Sequence, residues 1–392
     1  MIDGFVEPEF EQVKAAFIEN FKKGKEIGAS LCIYLQNKKI VDLWGGYRNI
    51  EQSQLWQEDT IVPVFSTTKG VCALVLALAH SRGWFDYDEK VSSYWSEFAQ
   101  HGKESITVRQ LFSHQAGLPA INKPLTNEMI SDIKLLSSIL AAQKPAWNPG
   151  AHHGYHVWSF GFYVSAFIYQ IDPQKRTLGQ FLQEELVKPL EAQFYIGLPD
   201  YIPDVRLATL YPPNMMKAFL GTGNPIKGVF RYLLPNSIYH QAMANPSVMK
   251  KHTNLNRREV LALEIGSGNG VGEARGLARL YSEFAIGGKN LGITEKTLEV
   301  LHESPKLPVK GSKDWIWDYD TNFSVGFIKP YNKIPYGGHP HAFGHHGAGG
   351  SSGYADPYYG IGYGYVVNRM DSHHFIDPRD QAIRDALYKC LQ

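Results

Sequence analysis

Strand patterning is confined to the two ends of this chain, and that placement constrains the fold more than any other feature. Ala29 to Leu35 and Lys39 to Trp44 are apolar-rich runs separated by the polar turn Gln36-Asn37-Lys38, which predicts a hairpin. Strand character then disappears until Asn322 to Lys329, His341 to His346 and Gly360 to Asn368. Between these groups the chain reads as helix and loop. A strong helix is predicted over Ser66 to His80 and a short one over Val108 to His114, and Pro and Gly are frequent from Gly117 to about Ala262. A sheet drawn from both ends must close around this insertion. Helices are predicted at both ends as well. Phe10, Val13, Phe17 and Phe21 recur at helical spacing, and Asp377-Pro378 supplies a good cap followed by a residue suited to the first helical turn.

Composition excludes several classes. Apolar residues make up 44% and charged residues 20%, which fits a packed protein and not a disordered chain. The formal net charge of +1 lacks the basic excess of a nucleic-acid binder. The apolar run from Val71 to Ala79 falls well short of the roughly 20 residues a spanning helix needs. Acidic Asp3, Glu7, Glu9 and Glu11 stand where an export signal would be basic and then apolar, so a cytoplasmic protein is expected. Cys32, Cys72 and Cys390 form neither a disulfide framework nor a C-x-x-C pair.

The strongest local signal is Phe65-Ser66-Thr67-Thr68-Lys69-Gly70 at the start of the Ser66 to His80 helix. Ser-x-x-Lys puts both side chains on one helix face. The helix terminus and burial favour a neutral Lys69 able to accept a proton, and the unpaired N–H groups there suit a developing oxyanion. The competing reading is structural, with Ser66 as a helix cap and Lys69 as a surface residue.

Further segments follow in order: Leu111-Phe112-Ser113-His114-Gln115-Ala116-Gly117-Leu118-Pro119, Trp147-Asn148-Pro149-Gly150, His153-Gly154-Tyr155-His156, Phe160-Gly161, and Phe343-Gly344-His345-His346-Gly347-Ala348-Gly349-Gly350-Ser351. From about Phe17 to Val367 the chain resembles the serine β-lactamase and penicillin-binding-protein superfamily. The match is to its class C-like branch, which includes the family VIII bacterial carboxylesterases. The resemblance implies an α+β, β-lactamase/transpeptidase-like fold, with an antiparallel sheet flanked by N- and C-terminal helices and a mostly helical inserted domain. Residues 1–65 and 263–392 would form the sheet domain and 66–262 the helical one, with the active site at their interface. It also implies roles: Ser66 the nucleophile, Lys69 its base partner, Tyr155 sharing the proton work, and the N–H groups of Ser66 and Ala348 forming the oxyanion hole. His345, His346, Gly347 and His156 would meet the substrate.

Two positions depart from the superfamily pattern. The Y-x-N motif reads Tyr155-His156-Val157, without the Asn that grips a substrate amide, and the K-T-G motif reads His345-His346-Gly347, without its fixed cation. Both changes weaken recognition of an anionic amide and leave acyl transfer intact. The expectation is a serine hydrolase acting on small uncharged esters, with no metal or cofactor. The alternatives are β-lactamase or D-Ala-D-Ala carboxypeptidase activity, and a non-catalytic scaffold on the same fold.

Four other features carry less weight. Gly349-Gly350-Ser351-Ser352-Gly353 is a literal G-x-S-x-G, but a Gly-rich strand follows it where a nucleophile elbow needs a helix. Gly266 to Gly270 reads as a turn entering a helix and not as a dinucleotide loop. The clusters His152, His153, His156 and His339, His341, His345, His346 lack an H-E-x-x-H motif and read as hydrogen-bonded histidines. Asn214 to Tyr232, apolar with Lys217, Lys227 and Arg231 interspersed, reads either as a membrane-surface helix or, because Pro225 and glycines break it, as a substrate-side loop or lid of the helical domain, which is the expectation.

Overall fold

A computed structural model describes residues 2–213, 234, 237–331, 337–371 and 376–392. The expected lid over Asn214 to Tyr232 lies outside these residues. Twelve strands are described: β1 (Ile2–Val6), β2 (Gly28–Leu35), β3 (Lys38–Asn49), β4 (Gln54–Leu55), β5 (Val62–Pro63), β6 (Phe194–Tyr195), β7 (Val271–Gly272), β8 (Phe323–Ser324), β9 (Phe327–Ile328), β10 (Phe343–His346), β11 (Ser352–Asp356) and β12 (Ile361–Val367). The large antiparallel sheet runs β1-β3-β2-β12-β11-β10-β9-β8, with β4 on β3, so its strands come from the two chain ends. A small sheet, β5-β7-β6, joins segments far apart in sequence.

The β2–β3 hairpin forms where the pattern predicts it. Gln36 and Asn37 have φ of 48° and 65°, the two positive values a tight two-residue turn requires. The predicted strand over Asn322 to Lys329 is instead the hairpin β8–β9, because Val325 (φ 43°) and Gly326 (φ 95°) turn the chain back. Strand β1 lies on the sheet edge beside β3.

The principal helices are α1 (Glu11–Lys22), α2 (Thr67–Ser81), α3 (Val108–Phe112), α4 (Ser159–Ile171), α5 (Ala274–Ala285), α6 (Glu295–His302) and α7 (Pro378–Cys390). Asp377 caps α7 by accepting from the Arg379 N–H at 2.9 Å. Strand β12 shows how the sheet is sandwiched. A Cβ on Gly362 or Gly364 would lie 2.3 Å from Ser282 N or 2.2 Å from Ala274 O, so these glycines let α5 settle on one face. The alternate residues Tyr363 and Tyr365 point the other way, where their hydroxyls donate to Asp380 of α7 and to Glu26. There α1 and α7 pack together.

Helix α2 is fully buried from Thr67 to His80 and packs on β10, β11, α4 and α6, so it belongs to the sheet's neighbourhood as much as to the insertion. Among the described residues no helix is long and apolar enough to cross a membrane.

Candidate active site

Ser66 occupies the cap position of α2 but makes no side-chain capping bond. Its Oγ lies 3.2 Å from Lys69 Nζ, so of the two readings of Ser-x-x-Lys the simple cap is excluded. Phe65 just before it holds φ at 47°, a left-handed conformation uncommon for a bulky residue. The two threonines do the structural work of this turn. Thr68 Oγ1 donates to Phe65 O at 2.6 Å and accepts from Gly270 N–H at 3.0 Å, and Thr67 Oγ1 donates to Ser351 O at 3.0 Å.

Lys69 is fully buried. Its Nζ donates to Val157 O and Ser267 O, each at 2.8 Å. Burial pushes its pKa well below the ordinary value of 10.5. A neutral amine has two N–H bonds and one lone pair. With both N–H bonds directed at carbonyls, the lone pair is left for the Ser66 hydroxyl.

Tyr155 sits in irregular chain ahead of α4, with its ring centroid 4.9 Å from Lys69 Nζ. Burial raises its pKa, opposed by a hydrogen bond with Ser66, so the phenol stays protonated. Burial thus moves the two groups apart and favours the uncharged form of each, the free amine of Lys69 and the phenol of Tyr155. The ring of Tyr155 stacks on Phe323 at 5.4 Å, and its hydroxyl is 3.5 Å from His345 Nε2.

His345 lies on β10 and is 1% exposed. Its Nδ1 is 2.7 Å from the His346 carbonyl, which only accepts, so Nδ1 carries the hydrogen and Nε2 faces Tyr155 as an acceptor. Burial holds the ring's pKa well below 6.5, and it is neutral. Where the superfamily pattern places a cation, this site has a neutral acceptor.

The close approach of α2 to β10 depends on two glycines. A Cβ on Gly70 would lie 2.0 Å from the Tyr281 hydroxyl and 3.1 Å from His345 Cβ, and one on Gly347 would lie 2.1 Å from Val64 O. Beyond β10 the Gly347 N–H donates to Ser351 O at 2.7 Å. Among the described residues the N–H groups of Ser66 and Ala348 have no acceptor within the chain, which leaves both available to an incoming oxyanion.

His156, expected to meet the substrate, is engaged by the 114–118 loop. It is fully buried, its N–H donates to His114 Nδ1 at 3.1 Å, and its Nε2 accepts from Leu118 N–H at 3.3 Å. Burial lowers its pKa to about 3. The ring props the 114–118 loop from beneath. Ser351 lies in the β10–β11 turn and contributes its carbonyl, accepting from Thr67 and Gly347. Of the other histidines, His152 stacks on Trp315 at 3.8 Å, His153 is buried beside Gln115 and Thr321, and His339 meets His341 edge to face at 4.6 Å. Among the described residues no three His, Cys, Asp or Glu side chains converge as a metal set. A cleft of about 390 Å³, lined by Asn49, Thr209, Asn256 and Arg258 among others, includes none of the Ser66 group.

Two members of the site have no motif of their own. Ser267, within the Gly266 to Gly270 turn, supplies the carbonyl that holds Lys69, and its hydroxyl accepts from Gly161 N–H at 2.6 Å and donates to Trp158 O at 2.8 Å. Asp314 accepts from the Tyr155 N–H at 2.8 Å. The Gly-Ser-Gly run was the one available signal for the first. One of three aspartates in a Trp-rich loop, Asp314 carries none for the second.

Residues 13–388 match the family described as Beta-lactamase. The chain is 30% identical over 376 residues to "Esterase/beta-lactamase LipL" of Mycobacterium tuberculosis, covering 94% of this chain and 83% of that protein. Its structure is similar to that of a family VIII carboxylesterase, with a TM-score of 0.86 and 34% identity over the whole of both chains. It is also similar to a penicillin-binding-protein homolog from Caulobacter crescentus, with a TM-score of 0.85 and 31% identity, again over both chains in full.

Proposed function

The chain belongs to the Beta-lactamase family of hydrolases, and from that premise we propose that it is a serine carboxylesterase cleaving small uncharged esters through an acyl-enzyme on Ser66. The observation that carries this reading is the setting of Lys69: a buried amine with two carbonyls on its N–H bonds and the Ser66 hydroxyl 3.2 Å away.

In the acylation step the Ser66 proton passes to Lys69 as Oγ attacks the ester carbonyl carbon. The carbonyl π electrons move to oxygen, where the N–H groups of Ser66 and Ala348 receive the charge; such a donor is worth roughly 3 kcal/mol. Collapse of the tetrahedral adduct expels the alkoxide, which takes a proton from the Tyr155 phenol, and Lys69 reprotonates the phenol. A water then attacks the acyl-enzyme, with the same pair relaying its proton back to Ser66.

Two features favour an ester over an anionic amide. His345 is neutral, so it supplies no fixed charge to a carboxylate. Val157 offers an apolar side chain where an amide grip would stand, and its carbonyl is engaged by Lys69. Two relatives named as esterases agree with this reading, although one of those names also carries β-lactamase. The second reading is therefore β-lactamase action by the same Ser66.

The test is a panel of p-nitrophenyl esters assayed beside nitrocefin, with wild type and Ser66→Ala. Short esters should be cleaved by wild type alone. A lost hydrogen bond to a charged group costs about 1.5–3 kcal/mol, so kcat/KM for nitrocefin should fall below that for the best ester by about tenfold to a hundredfold. Comparable values would favour the β-lactamase reading, and a wild type inert to both would revive the scaffold reading.

A further inference from the structure

No element of regular structure fixes Tyr155. It lies between an isolated bridge at His153 and the start of α4, so its position depends on what its backbone meets. That partner is Asp314, 0% exposed and far along the chain. One oxygen, Oδ2, accepts from the Tyr155 N–H at 2.8 Å. The other, Oδ1, accepts from Ile316 N–H at 2.7 Å and Trp317 N–H at 2.9 Å. The backbone repeats the link: Trp315 N–H donates to His153 O, and Asp314 N–H to Tyr319 O, each at 2.9 Å.

A single carboxylate therefore joins the segment that bears the phenol to the turn that bears Trp317. The Trp317 ring lies 5.8 Å from that of Tyr155, and Tyr239 packs edge-on to Trp317 at 6.2 Å. Charge-assisted bonds to backbone N–H groups are short and directional, and a buried carboxylate serving both sides transmits any displacement of one to the other. Its charge also raises the Tyr155 pKa, in the same direction as burial.

We propose that Asp314 is the positioning residue for Tyr155, holding the phenol over Ser66 and Lys69 and fixing Trp317 as the adjoining wall of the site. The proposal rests on the reading that Tyr155 shares in proton transfer. Asparagine at 314 keeps the shape but offers only one acceptor oxygen, so it must release either Tyr155 or the 316–317 turn.

The experiment is a double-mutant cycle of Asp314→Asn and Tyr155→Phe, with kcat and KM measured on a short p-nitrophenyl ester. Rates are taken per active site titrated with a fluorophosphonate, so unfolded protein is not counted. Asp314→Asn should lower kcat by about tenfold or more, since misplacement by an ångström can cost about a hundredfold. In the Tyr155→Phe background it should have little further effect, because the hydroxyl it positions is gone. Equal fractional losses in both backgrounds, or a loss confined to KM, would overturn the proposal. A Tyr155→Phe enzyme near wild type would instead overturn the parent reading of Tyr155. If Asp314→Asn does not fold, Asp314→Ser enters the same cycle. Failure of both to fold would mean Asp314 serves folding and not positioning, which also overturns the proposal.

Discussion

Replacing Gly70 with alanine should wedge α2 away from β10. The added Cβ would lie 2.0 Å from the Tyr281 hydroxyl oxygen and 3.1 Å from His345 Cβ. Ordinary non-bonded contacts begin near about 3.5 Å, so the first overlap is roughly 1.5 Å. Tyr281 is fully buried and cannot swing aside. Overpacking of this kind costs about 1–3 kcal/mol, while the helix gains about 1 kcal/mol from Gly to Ala, leaving a net loss of about 1 kcal/mol. Tyr281→Phe removes the offending atom, after which the nearest ring carbon stands 3.3 Å away. The Tyr281 hydroxyl has no hydrogen-bond partner among the described residues, so its loss alone should cost little. Urea denaturation of the single and double variants, compared at constant m, should give a favourable coupling of about 2 kcal/mol. Esterase kcat should follow, because the first turn of α2 carries Ser66 and Lys69. Additive energies, or a Gly70→Ala variant more stable than wild type, would refute the close approach.

Three further outcomes follow from the buried titratable groups. Because Lys69 has a folded pKa below its unfolded value, the unfolded chain binds the extra proton between the two. Lys69→Met should therefore be inactive yet more stable than wild type near neutral pH, with the gap closing as pH approaches 10.5; a gap that widens with pH would contradict a neutral amine. His345→Ala should impair turnover but leave measurable acylation in a stopped-flow burst, whereas loss as complete as in Ser66→Ala would make the histidine the base. Arg379→Met would leave Glu26 and Asp377, paired with it at 2.9 and 2.7 Å, as uncompensated buried carboxylates. It should cost about 3–5 kcal/mol by chemical denaturation, and a neutral effect would contradict the buried pairing.

The order of elements was legible because it rests on periodicity. Phe10, Val13 and Phe17 are buried along the start of α1, and the α2 run is buried throughout. Strand β1 was not legible, since its middle residues are exposed and only backbone pairing with β3 makes it a strand. The break of Asn322 to Lys329 into β8 and β9 turns on the backbone angles of Val325 and Gly326, which no hydrophobic pattern records. At the site, side chains with distinctive chemistry could be read: Ser66, Lys69, Tyr155 and His345 meet within a few ångströms. Contributions made by backbone could not. Val157 and Ser267 act on Lys69 through their carbonyls, and Asp314 acts on Tyr155 through its N–H. His156, next to Tyr155 in irregular chain, is tied through its backbone N–H and its ring to His114 and Leu118, contacts that no motif records.

The most direct test of the central claim is to label the protein with a fluorophosphonate and locate the adduct by peptide mass spectrometry. Ser66 is half-buried beside Lys69 at the start of α2, while Ser351 is buried in the β10–β11 turn with its carbonyl engaged. The account predicts one adduct, on the peptide holding Ser66, that disappears in Ser66→Ala and persists in Ser351→Ala. An adduct on the peptide holding Ser351, or none on a folded protein, would contradict it.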